Sequence, residues 1–151
     1  MITLKGRAVM GGRASGPALV SRMPMNFTAA VSNIQNAIPG RRGVINDRLH
    51  ELYGRNMKGT VMIFPACIGS TFTGMVLLEL MRSGYAPAAI VVQDADPLLV
   101  SGVTLAEVWF AAGIPVVEYQ GDDLFDRVRM GDLVEVDGGT GEIILLDRET
   151  A

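Results

Sequence analysis

Apolar and polar positions fall into short blocks punctuated by Gly and Pro. Lys5–Met10 and Pro17–Ser21 predict short strands on either side of the glycine-rich Gly11–Gly16. Thr60–Phe64 (TVMIF) predicts a buried strand stopped by Pro65, and Ala66–Ser70 a turn containing glycine. Thr71–Ser83 predicts a helix with Gly84 as its stop. Ala88–Val92 (AAIVV) is the next buried strand, so this stretch forms a βαβ unit with a parallel pair. Asp96–Pro97 starts a helical turn with Asp as cap and Pro at the first helical position. A second short helix is expected over Thr104–Ala112, ended by Gly113, and then a third parallel strand at Pro115–Glu118. Leu133–Asp137 and Glu142–Leu146, joined by Gly138–Gly141, predict a C-terminal hairpin. Residues 22–57 show weak periodicity and are expected to form a long loop or insertion. The expected whole is one α/β domain over residues 1–151, layered β/β/α, with a βαβ core.

Composition narrows the function classes. The chain has 151 residues, 49% of them hydrophobic and 19% charged. That is enough apolar side chain to offset the entropy of ordering, which excludes a disordered chain. The formal net charge is −3 and no basic block occurs, so a nucleic-acid partner is not expected. One cysteine excludes an intrachain disulfide and cannot by itself hold zinc or an iron–sulfur cluster. No run approaches the ~20 apolar residues of a membrane span, and MITLKGRAVMGG lacks the apolar core of a signal peptide. A soluble cytoplasmic protein without a membrane partner is expected. Nine methionines with only 6% aromatic residues suit either irregular core gaps or an adaptable interface.

Candidate chemistry concentrates in FPACIGSTFTG, residues 64–74. Ser70 stands where the turn meets the expected helix start, and the first amides of a helix favour negative charge. A serine there also serves as a plain N-cap, and capping alone would account for it. Ser70 has no sequence-adjacent base. The single His50 sits in a loop, where a surface position is expected, and nothing places it beside Ser70. Cys67 in the same turn is reactive, a metal ligand or a small buried hydrophobe. Asp94, Asp96, Asp122 and Asp123 lack metal-ligand spacing and suit caps and solvated turns. GGRASG, residues 11–16, is not GxGxxG and does not lie between a strand and a helix, which excludes a dinucleotide loop. RMGDLVEVDGGTGEIILL resembles the closing hairpin of swivelling phosphohistidine domains, but His50 in DRLHELYG lacks the glycine–threonine context such domains use. A mobile phosphocarrier is thereby set aside.

KGRAVMGGRASGPALVS, FPACIGSTFTGMVLLELMRSGYAPAAIVVQDADPLLVSG, GIPVV and GDLVEVDGGTGEI together resemble the small subunit of aconitase X. The resemblance runs over roughly residues 4–146 and weakens in 22–57. It implies a swivelling β/β/α domain like the mobile fourth domain of aconitases. Such a domain closes over a large catalytic subunit that supplies an iron or iron–sulfur centre, with none bound by this chain alone. It further implies a hydro-lyase that dehydrates a small hydroxy acid: 5-phosphomevalonate in the archaeal branch, cis-3-hydroxy-L-proline in the bacterial branch. The family's proton acceptor falls on Ser70, and Gly69 and Thr71 then shape the substrate-binding turn. Archaeal members carry a basic segment such as RGKGST, whereas this chain has ACIGST. A phosphate dianion wants Lys or Arg nearby, so the uncharged turn favours cis-3-hydroxy-L-proline, unless Arg41, Arg42 or Arg48 reaches the site from the long loop. A non-catalytic interaction domain on the same fold is the alternative of another class.

Overall fold

The computed structural model describes residues 1–31, 42–69 and 71–146. Its strands are β1 (Ile2–Lys5), β2 (Arg7–Met10), β3 (Arg13–Val20), β4 (Val61–Phe64), β5 (Ala89–Val92), β6 (Val116–Glu118), β7 (Leu133–Asp137) and β8 (Glu142–Leu145). Its helices are α1 (Phe27–Val31), α2 (Thr73–Ser83), α3 (Pro97–Phe110) and α4 (Leu124–Arg127). One sheet carries all eight strands in the order β1-β8-β7-β3-β4-β5-β6-β2. The predicted βαβ unit is β4-α2-β5, with Val61–Phe64 paired in parallel to Ala89–Val92 and β5 parallel to β6. This is the layered α/β architecture expected from the sequence.

The sheet curls. β1 and β2 lie on opposite margins, yet only Gly6 separates them along the chain. The Gly6 N–H donates to Gly141 O (2.8 Å) and the Gly138 N–H to Gly12 O (2.8 Å), which draws the β7–β8 turn over the β2 margin. β3 is the shared strand: its residues 13–17 pair antiparallel with β7, and residues 18–20 pair parallel with β4. Alternation then sorts side chains onto two faces. Val61, Ile63, Ala89, Val91 and Val117 join Val134, Val136 and Ile143 in one core enclosed by the curled sheet. Met62, Phe64, Ile90, Val92 and Val116 join Leu77, Leu80, Leu99 and Val103 in a second core beneath the helices.

Several expectations are corrected. Lys5–Met10 is not one strand; it breaks at Gly6 and serves both margins. Gly11–Gly16 is not only a turn, because β3 begins at Arg13. The two short helices expected after Asp96 are one, α3, capped by the Asp96 carboxylate accepting the Leu99 N–H (2.8 Å) with Pro97 first in the helix. Gly102 does not break it, because tertiary contact overrides a weak propensity. The helix ends at Ala111, in the left-handed region (φ 51°), rather than at Gly113. The described parts of 22–57 contribute Met25, Phe27, Ile45, Leu52 and Met57 to the core. Methionine fills the core at Met25, Met57, Met62 and Met81, whereas Met23, Met75 and Met130 are exposed. No helix among the described residues is long and apolar enough to cross a membrane.

Candidate functional site

The C-terminal ends of the parallel strands β4, β5 and β6 gather three loops, the usual location for a ligand in a parallel α/β sheet. Pro65 O accepts the N–H groups of Gln93 and Asp94 (3.0 Å each), tying the loop after β4 to the loop after β5. A parallel bridge joins Met25 to Cys67: the Met25 N–H donates to Ala66 O (3.0 Å) and the Ile68 N–H to Met25 O (2.9 Å). The next residue on that strand-like segment, Asn26, lies against Gly69. A β-carbon at position 69 would stand 2.5 Å from Asn26 Nδ2. Gly69 also has φ +99°, a conformation that side chains avoid. Asn26 Oδ1 accepts the Ala29 N–H (3.1 Å), which fixes the carboxamide.

Ser70 and Arg41 lie outside the described residues. Thr71 is exposed, in a turn that leads into α2. The helix itself starts at Thr73, two residues later than expected, with Phe72 in the cap position and no side-chain cap bond. The N-terminal ends of α2 and α3 meet here: a β-carbon at Gly74 would lie 3.0 Å from Leu98 O and 3.2 Å from Ser101 Oγ. The α3 start is already capped by the Asp96 carboxylate, which leaves α2, entered through Thr71, as the helix whose amide-rich start follows this turn. Next to this turn, between α1 and α2, is an apolar cavity of about 490 Å³ lined by residues including Val31, Phe72, Met75 and Leu80.

Cys67 is half-buried, and burial, helped by the Asp96 charge, pushes its thiol well above the usual range. That favours the neutral thiol, which packs as a small apolar side chain. No three His, Cys, Asp or Glu side chains among the described residues group to hold a metal ion. Glu118, buried at the end of β6, holds the loop after β5 in place. It takes two bonds from Arg7 (3.1 and 3.2 Å), one from the Ala95 N–H (2.8 Å) and one from Gln120 (3.1 Å). The Arg7 guanidinium is the main cause of its carboxyl lying below the ordinary range.

His50 is buried, not at the surface. Its Nδ1 accepts the Leu52 N–H (3.0 Å), so the ring proton sits on Nε2, which faces Pro24 O (3.1 Å) and Ser21 Oγ (3.4 Å). Ser21 in turn donates to Glu51 Oε1 (2.7 Å). Ser, His and Glu meet here without forming a catalytic triad, because an Nε2 that carries the proton cannot act as base toward Ser21. The cluster anchors residues 47–52 to the end of β3. Of the remaining loop cations, Arg42 stacks on Tyr85 beyond the C-terminal end of α2, and Arg48 is exposed. Neither Asn26 nor Glu118 was singled out by the sequence. Asn26 leads into FTAAV, a cap-like signal, and Glu118 had no signal beyond being the charged end of an apolar strand.

The chain matches the aconitase X swivel domain over residues 3–145. It is 39% identical to the phosphomevalonate dehydratase small subunit of Methanocella arvoryzae, across 94% of this chain and 98% of that one. It is 36% identical to the protein of the same name from Thermococcus sibiricus, across 93% and 95%. Among solved structures, aconitase X of Thermococcus kodakaraensis in its holo-form superposes with a TM-score of 0.82 at 29% identity, covering 97% of this chain and all of that one. A UPF0107 protein solved in solution by NMR superposes at 0.80 with 30% identity and the same coverage. The chain belongs to the aconitase X swivel domain family.

Proposed function

We propose that this chain is the small subunit of a two-subunit hydro-lyase, with Ser70 as proton acceptor and Gly69 and Thr71 shaping the turn that meets the substrate. The observation that carries this reading is the turn itself. Gly69 stands at positive φ against the bridged Met25–Asn26 segment, immediately before Ser70 and the turn that enters α2. Fixed backbone donors at such a place favour an alkoxide over the free hydroxyl and accommodate the carboxylate of a hydroxy acid. A closed site would strengthen those interactions by excluding water. The iron or iron–sulfur centre belongs, on this reading, to the large subunit.

Two substrates are weighed. The uncharged Cys67–Ile68–Gly69 run supports cis-3-hydroxy-L-proline, because a phosphate would call for a cation. The names of the curated relatives support 5-phosphomevalonate. Dehydration assays of both acids by the chain reconstituted with its large subunit decide between them. Ser70→Ala in the same assay is expected to abolish turnover of the accepted acid while leaving fold and association intact. Near-normal turnover by that variant would remove Ser70 from the mechanism, and no dehydration of either acid by the parent pair would remove the reading.

A further inference from the structure

The Met25–Cys67 bridge delivers Asn26 to the candidate turn, and its carboxamide lies across Gly69. A β-carbon at position 69 would meet Nδ2, Cγ and Oδ1 of Asn26 at 2.5, 2.6 and 2.8 Å. Oδ1 accepts the Ala29 N–H (3.1 Å), which fixes the oxygen end of the amide and so the nitrogen end as well. Among the described residues, no acceptor takes the two Nδ2 hydrogens. Asn26 is half-buried, and Nδ2 keeps access to solvent. Neither capping nor packing accounts for this nitrogen. Aspartate has the same shape, would fill the same space beside Gly69, and caps a helix equally well. What asparagine adds is a pair of N–H donors.

We infer that Asn26 Nδ2 donates to the carboxylate of the substrate, which makes Asn26 a substrate-binding residue. The inference rests on the functional reading above and deepens it. Nδ2 donates only, so its ligand has to present an acceptor, and a carboxylate is the strongest acceptor of a hydroxy acid. Both acids weighed above carry one. The surrounding backbone brings no cation to that carboxylate: Met25, Cys67, Ile68 and Gly69 are all uncharged. Arg22, four residues before Asn26, is engaged by Phe125 O (3.3 Å) and the Asp126 carboxylate (3.2 Å). A neutral side-chain donor is thus what the turn offers an anion. Because Oδ1 is already tied to Ala29, the amide is set in place before the acid arrives. Little side-chain freedom is then lost on binding.

The test uses the chain reconstituted with its large subunit. Asn26→Asp keeps the bond to Ala29 and the fit against Gly69 but replaces the donor with an acceptor. Its urea midpoint should therefore match the parent's. Two probes are compared: the accepted acid, through its KM, and the primary amide of that acid, through its inhibition constant. The amide donates where the carboxylate accepts. Asn26→Asp is expected to bind the acid at least tenfold more weakly and the amide no more weakly, which shifts preference toward the amide by the same factor. An unchanged preference at an unchanged midpoint would overturn the contact, and an inactive Ser70→Ala would then leave the functional reading standing. Equal weakening of both probes with a lowered midpoint would make Asn26 a structural residue only, and would also overturn it. A shifted preference beside an active Ser70→Ala would uphold the contact while removing the proton acceptor. No dehydration by the parent pair would overturn both.

Discussion

The carboxamide of Asn26 occupies the space that a side chain at position 69 would need. Gly69→Ala is therefore expected to cost about 1–3 kcal/mol, from a backbone conformation that only glycine adopts easily and from the collision with Asn26. Urea unfolding would measure the loss. Paired with Asn26→Ala, the cost should be less than additive, because the shorter side chain relieves the collision but not the strain. Additive values would mean that the two residues do not meet. Turnover of the reconstituted pair is expected to fall at least tenfold in Gly69→Ala.

Helices α2 and α3 cross at a pair of glycines. A β-carbon at Gly102 would lie 2.7 Å from Gly74 O. Replacing a helical glycine with alanine ordinarily gains about 1 kcal/mol, whereas forcing a methyl into a tight helix contact costs typically 1–3 kcal/mol. The collision with backbone wins. Gly102→Ala is expected to lower stability by about 1 kcal/mol net, which thermal unfolding would record as a drop of roughly 2–4 °C. A stabilised variant would show that the crossing is looser than described.

His50 holds the described part of the long loop through both ring nitrogens. His50→Phe leaves the Leu52 N–H and Pro24 O without these partners, and each such loss costs about 1–3 kcal/mol. Denaturant unfolding should show a loss of that order per group, and incubation of the parent with a phosphodonor should leave His50 unmodified by mass spectrometry. A phosphorylated His50 would restore the phosphocarrier reading.

Acid should loosen the loop after β5. The folded Glu118 carboxyl lies below its ordinary value of 4.5, first through Arg7 and then through the Ala95 N–H. A carboxyl depressed by folding stabilises fully above its unfolded value, and that contribution is lost as pH falls through the folded one. Stability is thus expected to decline as pH drops below the ordinary carboxylate range, and Glu118→Gln should flatten this decline. An unchanged acid limb in the variant would assign the effect to other carboxyls, such as Glu51, which its bond from Ser21 also depresses.

The parallel core was legible because TVMIF and AAIVV are runs too apolar to face water, with a helix-length segment between them. Asp96–Pro97 announced α3 for an equally local reason. What stayed hidden depends on distant partners. The continuity of α3 becomes apparent only when Gly102 is seen against Gly74. Lys5–Met10 looks like one strand until its two halves find β8 and β6. His50 looked like a surface residue because the partners of its Nε2, Pro24 O and Ser21 Oγ, lie 26 and 29 positions away. The candidate turn was visible in FPACIGSTFTG, but the residue that shapes it, Asn26, arrives from more than forty positions earlier.

The pairing of Ile2 with Leu145 and of Lys5 with Glu142 has a consequence for biosynthesis. Strand β1 waits for one made about 140 residues later before its hydrogen bonds can close. Until then a nascent chain carries an open sheet margin that could pair with a neighbouring polypeptide. Slow translation anywhere between the two strands would prolong that exposure, so yield in a cell should fall with the total time taken over that stretch.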